Sequence, residues 1–140
     1  SMYNALFAAA ALMLVSSAAR AEERKLDAPF IGDGTYSPTT GCKKLEDIEA
    51  GKAAPNISTY PLTLTREGTR SWEGGCDFES LGEVGPNVFE GKMQCSEGAE
   101  EYKQTVRFTR LDANRIEVKS GTEALVYERC KGLKGKSSGD

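Results

Sequence analysis

Four cysteines, Cys42, Cys76, Cys95 and Cys130, are the residues of this chain with the most specific chemistry. Four thiolates could hold a zinc ion, two close thiols could act as a redox pair, and an even number could form disulfides. Structural zinc sites usually draw their ligands from close cysteine pairs, and a redox pair needs C-x-x-C, but no two cysteines here are near neighbours in sequence. The spacing therefore favours two structural disulfides, and we expect no metal and no cofactor.

Other groups that could support catalysis are few. The chain has no histidine, which excludes Ser-His-Asp and Cys-His mechanisms and every mixed cysteine–histidine metal site. Glu97, Glu100 and Glu101 could supply paired carboxylates, but adjacent strand residues point to opposite faces and acidic turns are usually solvated. The same cluster lacks the loop spacing of a calcium site, and Asn56-Ile57-Ser58 is a short match to a glycosylation sequon. We expect no enzymatic activity.

Residues 1–21 have the features of a secretory signal peptide. An apolar run, ALFAAAALMLV, is followed by small residues and by Ala19-Arg20-Ala21, which forms an A-x-A cleavage site before a charged segment. The run is shorter than the about 20 residues that a membrane span needs. No Lys or Arg precedes it, so a retained signal anchor is the alternative. We expect cleavage after Ala21, a periplasmic or secreted mature protein, and no transmembrane span after cleavage.

Two of the cysteines lie in a stretch, residues 75–95, whose pattern predicts a β-hairpin. If Gly85-Pro86 is its two-residue tip, Cys76 faces Cys95, and directly opposed residues have the short Cβ separation that a disulfide needs. By elimination Cys42 pairs with Cys130, which ties the start of the domain to its last strand. The same register predicts three further pairs: Phe78 with Met93, Glu79 with Lys92, and Glu83 with Val88.

Most of the remaining chain alternates between apolar and polar residues with a period of two, which indicates half-buried antiparallel strands. Turn residues separate the strands at short intervals, which predicts an all-β fold, a small antiparallel barrel or sandwich of about seven to eight strands. Turns are predicted at 66–68, 112–114 and 120–121. The predicted inward-facing residues are Tyr60, Leu62 and Leu64 on one strand, Tyr102, Val106 and Phe108 on another, and Ile116 and Val118 on a third.

One short helix is predicted over 42–50, with Thr40 as its N-cap and Gly51 as its stop, after a first strand over 34–37. The domain organisation is then a leader over 1–21, a single β-barrel domain over 22–130 and a flexible basic tail over 131–140. The formal charge is −3, and removal of Arg20 with the leader makes it −4. No basic stripe is present, which argues against nucleic-acid binding.

A secretory leader, Gly34-Thr35-Tyr36 at the first strand, one short helix, a small antiparallel barrel and disulfides together resemble the lipocalin-like barrels of the bacterial periplasm. These include the C-type lysozyme inhibitors. The resemblance covers most of the mature chain and implies a lipocalin-like architecture. Those inhibitors insert a Ser-Gly-x-x-Tyr loop into the lysozyme cleft. Here Ser120-Gly121 is followed by Thr-Glu-Ala, and the nearest tyrosine, Tyr127, lies further along the strand, so no functional residue is transferred.

Three functions are compatible with this description. The first is a non-enzymatic binding protein, which binds a protein partner with the loops at one end of the barrel or a small apolar ligand in its mouth. The second is an inhibitor of an exported hydrolase such as lysozyme. The third is an envelope-associated structural protein whose tail lysines, Lys131, Lys134 and Lys136, contact anionic surfaces. We expect the first, acting as a monomer.

Overall fold

The structure is a computed structural model that describes residues 27–133, so the predicted leader and residues 134–140 of the predicted tail lie outside it. Each strand is antiparallel to the next and the last pairs with the first, so eight strands close into a barrel, which confirms the predicted fold class. The elements are a 3-10 helix (Pro29–Ile31), β1 (Tyr36–Pro38), α1 (Gly41–Glu49), β2 (Thr63–Thr65), β3 (Gly68–Ser71), β4 (Gly74–Gly85), β5 (Val88–Glu97), β6 (Glu100–Asp112), β7 (Arg115–Ser120) and β8 (Glu123–Arg129).

The core lies inside the barrel and follows the predicted alternation on β6 and β7. Val106, Phe108 and Ile116 are buried, because every second residue of these strands faces inward. Leu62, also predicted to face inward, lines the cavity at one end of the barrel, but its side chain is 43% exposed, whereas Thr63 beside it is buried. The reason is that β2 begins only at Thr63, so Leu62 belongs to the connection that enters the strand and not to the alternating pattern.

The hairpin of β4 and β5 has the predicted register at its cysteine end. Cys76 faces Cys95 and Phe78 faces Met93, and all four side chains are buried on the inner face. Gly91 lies under the ring of Phe78, and a Cβ at this position would lie 3.1 Å from a ring carbon. The absence of a side chain at residue 91 therefore leaves the space that the phenyl ring occupies.

Nearer its tip the hairpin departs from the predicted register. The tip is Pro86-Asn87, not Gly85-Pro86, and Asn87 has a φ of 59°, which a type II turn requires at its third residue. Two irregularities in β4 also shift the pairing, so Glu79 does not face Lys92 but contacts Lys103 of β6 at 3.1 Å. The observed pairs here are Ser80 with Lys92, Glu83 with Phe89, and Gly85 with Val88.

The turns alternate between the two ends of the barrel because every strand reverses direction. We call the end formed by the turns at 66–67, 86–87 and 113–114 the closed end, and the end formed by the turns at 72–73, 98–99 and 121–122 the open end. The predicted turns at 66–68, 112–114 and 120–121 coincide with three of these to within one residue. The 3-10 helix packs across the closed end.

The apolar side chains of this 3-10 helix fill the closed end, and its carbonyl groups accept hydrogen bonds from side chains of the barrel. The ring of Phe30 stacks on that of Phe89 with centroids 4.0 Å apart, and Ile31 is fully buried. Arg110 donates hydrogen bonds to the carbonyl oxygens of Phe30 and Ile31, the latter at 2.7 Å, and the Tyr36 hydroxyl donates to Ile31 at 3.0 Å. These donors satisfy the carbonyl groups that the short helix leaves unpaired.

A disulfide joins the helix α1 to the residue that follows the last strand of the barrel. Cys42 in its first turn is bonded to Cys130, just after β8, with the sulfur atoms 2.10 Å apart. The helix lies one residue before its predicted range, and Gly51 follows it with a φ of 74°, as expected of a helix stop. Thr40 is the N-cap residue, but its side chain makes no capping hydrogen bond. The first strand begins at Tyr36, two residues later than predicted.

Candidate functional site

A cavity of about 370 Å³ opens at the open end of the barrel. Its volume lies near the lower limit of ordinary ligand sites, which occupy about 300–1,000 Å³ and are often found in the mouths of β-barrels. The walls come from the six strands β3 to β8 together with the connection that precedes β2. The apolar part of the wall consists of Leu62, Cys76, Val106, Val118, Leu125 and Tyr127.

The two-residue period of β8 decides which of its apolar side chains reach this cavity. Leu125 and Tyr127 line the cavity, whereas Val126 between them does not. Leu125 is 42% exposed and Val126 is 38% exposed, so the two neighbours have similar access to solvent on opposite faces of the same strand. They therefore form a matched pair for testing whether a ligand enters the barrel.

Tyr127 is the most informative residue of the cavity. Its side chain is only 4% exposed, and its hydroxyl makes no hydrogen bond with any residue of 27–133. Within residues 27–133 no buried side-chain polar atom lacks a partner, so this hydroxyl is reached by solvent through the cavity and is available to a ligand there. Burial raises the pKa of this tyrosine above its usual value, so the phenol stays neutral and can either donate or accept one hydrogen bond.

The polar part of the wall is organised by Arg70. Its guanidinium donates to the carbonyl oxygens of Thr69 and Cys76, at 2.7 and 3.1 Å, and to a carboxylate oxygen of Asp77 at 2.7 Å. The Asp77 carboxylate balances its positive charge, and the three bonds hold the guanidinium against the wall. Arg70 therefore shapes the cavity without leaving an uncompensated positive charge in it.

Gln104 forms the second polar position of the wall. Its amide oxygen accepts a hydrogen bond from the Ser120 hydroxyl at 3.3 Å, and its amide nitrogen lies 3.5 Å from the sulfur of Cys76. Both contacts are long compared with ordinary side-chain hydrogen bonds. The amide is therefore held weakly enough to exchange these contacts for stronger ones to a bound molecule.

Carboxylates surround the rim of the open end. Glu97 and Glu123 line the cavity, and Glu100 lies directly opposite Glu97 in the pairing of β5 and β6. All three side chains are exposed, and none of them forms an ion pair with a residue that the structure describes. The rim is therefore negatively charged, and its charge is not balanced from within the described part of the chain.

Aromatic side chains complete the rim. Trp72, in the turn between β3 and β4, is 46% exposed, and its ring centroid lies 6.2 Å from that of Tyr60. Tyr102 lines the cavity from β6 and is 41% exposed. Trp72 is the one tryptophan of the 140-residue sequence, so its fluorescence reports on the open end alone.

The four cysteines form two disulfides, and one of the four, Cys76, is part of the cavity wall. Cys76 and Cys95 have their sulfur atoms 2.06 Å apart, and Cys76 borders the cavity. Residues 27–133 contain no free cysteine and no group of three or more potential metal ligands among their Cys, Asp and Glu residues. In the region that the structure describes, the cysteines are therefore structural.

The other positions considered from sequence do not come together in one site. Ser120 borders the cavity and Gly121 begins the adjacent turn, but Tyr127 is buried inside the barrel and does not extend this turn as an exposed loop. Glu101 lies outside the cavity lining beside Glu100 and Tyr102. Asn56 is exposed, and its side-chain oxygen accepts hydrogen bonds from the backbone of Ser58 and Thr59, which organises a local turn.

Neither Trp72 nor Tyr127 is marked as a site residue by any sequence motif. The signal for Tyr127 is its two-residue spacing from Leu125, which places both on one face of a strand. That signal is ambiguous, because the segment ALVYERC also has an apolar residue, Val126, on the other face. Trp72 has no such signal: it lies in the two-residue turn between β3 and β4, which only the structure defines.

Comparison of the chain with protein-family models, with curated proteins and with solved structures returned no match. Among residues 27–133, no helix is both long and apolar enough to cross a membrane.

Proposed function

We propose that this protein is a non-enzymatic binding protein that takes a small, largely apolar ligand into the open end of its barrel. The observation that carries the proposal is the cavity of about 370 Å³, which is bordered by the unpartnered hydroxyl of Tyr127. A ligand that entered would cover exposed apolar surface of Leu62 and Leu125, which favours binding by about 25 cal/mol for each Å² removed from water.

The proposed place of action is the periplasm or the exterior of the cell. Two disulfides support this proposal, because such bonds form and persist in oxidising compartments and are rare in the cytosol. The leader that would direct export lies outside the described residues, so its cleavage after Ala21 stays a prediction. Intact-mass measurement of the exported protein would test it, with Glu22 expected as the N-terminal residue.

Inhibition of lysozyme remains the alternative within the lipocalin-like architecture. The Ser-Gly-x-x-Tyr loop of the inhibitors that the chain resembles has no counterpart here, since Tyr127 lies inside the barrel. A lysozyme assay with an excess of this protein should therefore show undiminished activity. Inhibition that is lost on Ser120→Ala substitution would favour the alternative over the proposed function.

The proposed function can be tested by titration with a neutral apolar fluorophore, N-phenyl-1-naphthylamine. We expect saturable binding of one molecule per chain, an increase in dye fluorescence, and a simultaneous change in Trp72 emission. The emission should change because Trp72 lies at the rim through which the dye enters. Absence of saturable binding would contradict the proposal.

Two variants of β8 show whether the dye enters the barrel. Leu125→Ser should weaken binding about tenfold, because it removes apolar contact area worth about 1–2 kcal/mol from the cavity wall. Val126→Ser removes a similarly exposed side chain from the outer face and should leave the affinity unchanged. Equal losses in both variants would indicate binding to the outer surface and would overturn the proposed site.

A further inference from the structure

The charge of the open end indicates what kind of small molecule the cavity accepts, and this inference rests on the proposed function. Glu97 and Glu100 are directly opposed across β5 and β6, an arrangement of like charges that destabilises a sheet. Glu123 adds a third carboxylate from β8 at the same rim. A bound cation would balance these charges and remove the repulsion between them.

The cavity wall supplies no competing positive charge. Arg70 is the one basic residue among those that line the cavity, and its guanidinium is bonded to the Asp77 carboxylate at 2.7 Å. An anionic ligand would have to displace Asp77 to use this guanidinium, and it would meet the rim carboxylates on entry. Anions are therefore disfavoured at this site.

The aromatic rings of the rim add a second attraction for cations. Trp72 and Tyr102 are both partly exposed at the open end, and the faces of such rings attract ammonium groups within about 6 Å of the ring centroid. Tyr127 supplies an independent observation further inside, because its side chain is only 4% exposed, lines the same cavity, and carries a hydroxyl with no partner among residues 27–133. The site thus combines a negative and aromatic rim, an apolar wall and one inner hydrogen-bonding group.

We propose that the ligand is an amphipathic organic cation whose charged group lies among Glu97, Glu100 and Glu123 at the rim. Its apolar body lies along the inner wall beside Leu125, and its inner end meets the hydroxyl of Tyr127. Tyr127 follows Glu123 by four positions on β8, which corresponds to about 13 Å at the usual rise of a strand. The ligand is therefore an amine of about this length, with a hydrogen-bonding group at the end remote from its charge.

A matched series of probes tests the charge preference by isothermal titration calorimetry on the disulfide-bonded protein. The probes are 4-phenylbutylamine, 4-phenylbutanol and 4-phenylbutyrate, which share an apolar body and differ in charge. We expect the amine to bind about tenfold more tightly than the alcohol, and the carboxylate more weakly than either. The difference between amine and alcohol should shrink at high salt, because screening reduces interactions between exposed charges.

Charge-neutral variants identify the carboxylates that are responsible. Glu97→Gln combined with Glu123→Gln should reduce the affinity for the amine about tenfold and leave that for the alcohol unchanged. Glu83→Gln combined with Glu117→Gln is the control, because it removes the same formal charge from positions that do not line the cavity. An equal effect in the control would show that net charge, and not the rim, selects the amine, and would overturn the inference.

The role of Tyr127 has its own test. Tyr127→Phe should leave 4-phenylbutylamine binding unchanged but should weaken about fivefold the binding of 4-(4-aminobutyl)phenol, whose hydroxyl can reach the lost group. The variant should also unfold at the same urea concentration as the original protein, because the hydroxyl has no partner within residues 27–133. Equal affinities of both probes for both proteins would remove Tyr127 from the site.

The outcomes separate this inference from the proposed function. If the neutral dye binds inside the barrel but the amine binds no more tightly than the alcohol, the inference fails and the proposed function stands. If neither the dye nor any member of the series binds, both fail.

Discussion

The closed end and the open end of the barrel differ in how completely their side chains are packed and their polar groups are paired. At the closed end Phe30 stacks on Phe89, and Arg110 saturates the carbonyl groups of the 3-10 helix. At the open end Leu125 remains 42% exposed and the rim carboxylates have no ion pair among the described residues. The difference indicates that one end is packed and hydrogen-bonded in a way that stabilises the fold, while the other leaves apolar and charged groups exposed to solvent.

Removal of the disulfides is expected to have the largest effect on stability, and the two bonds should differ. Cys42–Cys130 joins residues 88 apart and Cys76–Cys95 joins residues 19 apart. Loop-closure entropy then predicts contributions of about 4.6 and about 3.2 kcal/mol. Urea unfolding of the two double Cys→Ala variants measures both values, and a larger loss from the shorter loop would contradict the entropic account.

The affinity of the same two disulfide variants for the dye distinguishes the open end of the barrel from the rest of the fold. Because Cys76 borders the open-end cavity, loss of its disulfide should weaken dye binding as well as stability. Loss of Cys42–Cys130, which lies outside the cavity, should reduce stability without changing the affinity of the protein that remains folded.

Core substitutions test whether stability is concentrated away from the open end. Phe108 is fully buried and its ring packs between those of Phe30 and Phe78, so Phe108→Ala should cost about 3–5 kcal/mol. Leu125→Ala should cost less than about 1.5 kcal/mol, because much of that side chain is already in water. Similar unfolding free energies for the two variants would contradict the view that stability is concentrated away from the open end.

Loss of the hydrogen bonds from Arg110 to the 3-10 helix should have an intermediate effect on the free energy of unfolding. Arg110→Met leaves the carbonyl oxygens of Phe30 and Ile31 without their charged donor, which should cost about 1.5–3 kcal/mol. Arg107→Met, on the outer face of the same strand, breaks only an exposed ion pair with Glu90 and should cost about 0–1 kcal/mol. Faster hydrogen exchange of the Ile31 amide in the Arg110 variant alone would locate the effect at the closed end.

Acid should destabilise the closed end, and we expect this effect on stability to be the smallest of those predicted. Arg66 bonds to Asp27 and Asp33, and its hydrogen bonds to Asp27 hold the pKa of that carboxyl below its usual value. A carboxylate with a lowered pKa stabilises the fold above its unfolded-state pKa of about 4, and the contribution is lost as the pH falls through the lower folded-state value. The urea midpoint should therefore fall less below about pH 4 in Asp27→Asn than in the original protein. Equal falls in both would contradict this.

The cysteine end of the β4–β5 hairpin could be predicted because two constraints agree there. Alternation places Cys76 and Phe78 on one apolar face, and the disulfide requires Cys76 to oppose Cys95. The tip could not be predicted by counting from Gly85-Pro86, because the register shifts around Glu79 and again beyond Glu83. Such irregularities bend and twist a strand, and a closed barrel requires them at positions that depend on all its strands.

The sequence by itself determined the all-β architecture, the single helix and the core faces of β6 and β7, because alternation and turn residues act over a few neighbouring positions. Only the tertiary structure decided which end of the barrel is closed and which side of the segment ALVYERC faces the cavity. Packing of Phe30 on Phe89 and pairing of Tyr127 with Pro38 join residues far apart in the chain. No local pattern encodes such contacts, so the open end and its rim become visible only when the eight strands close.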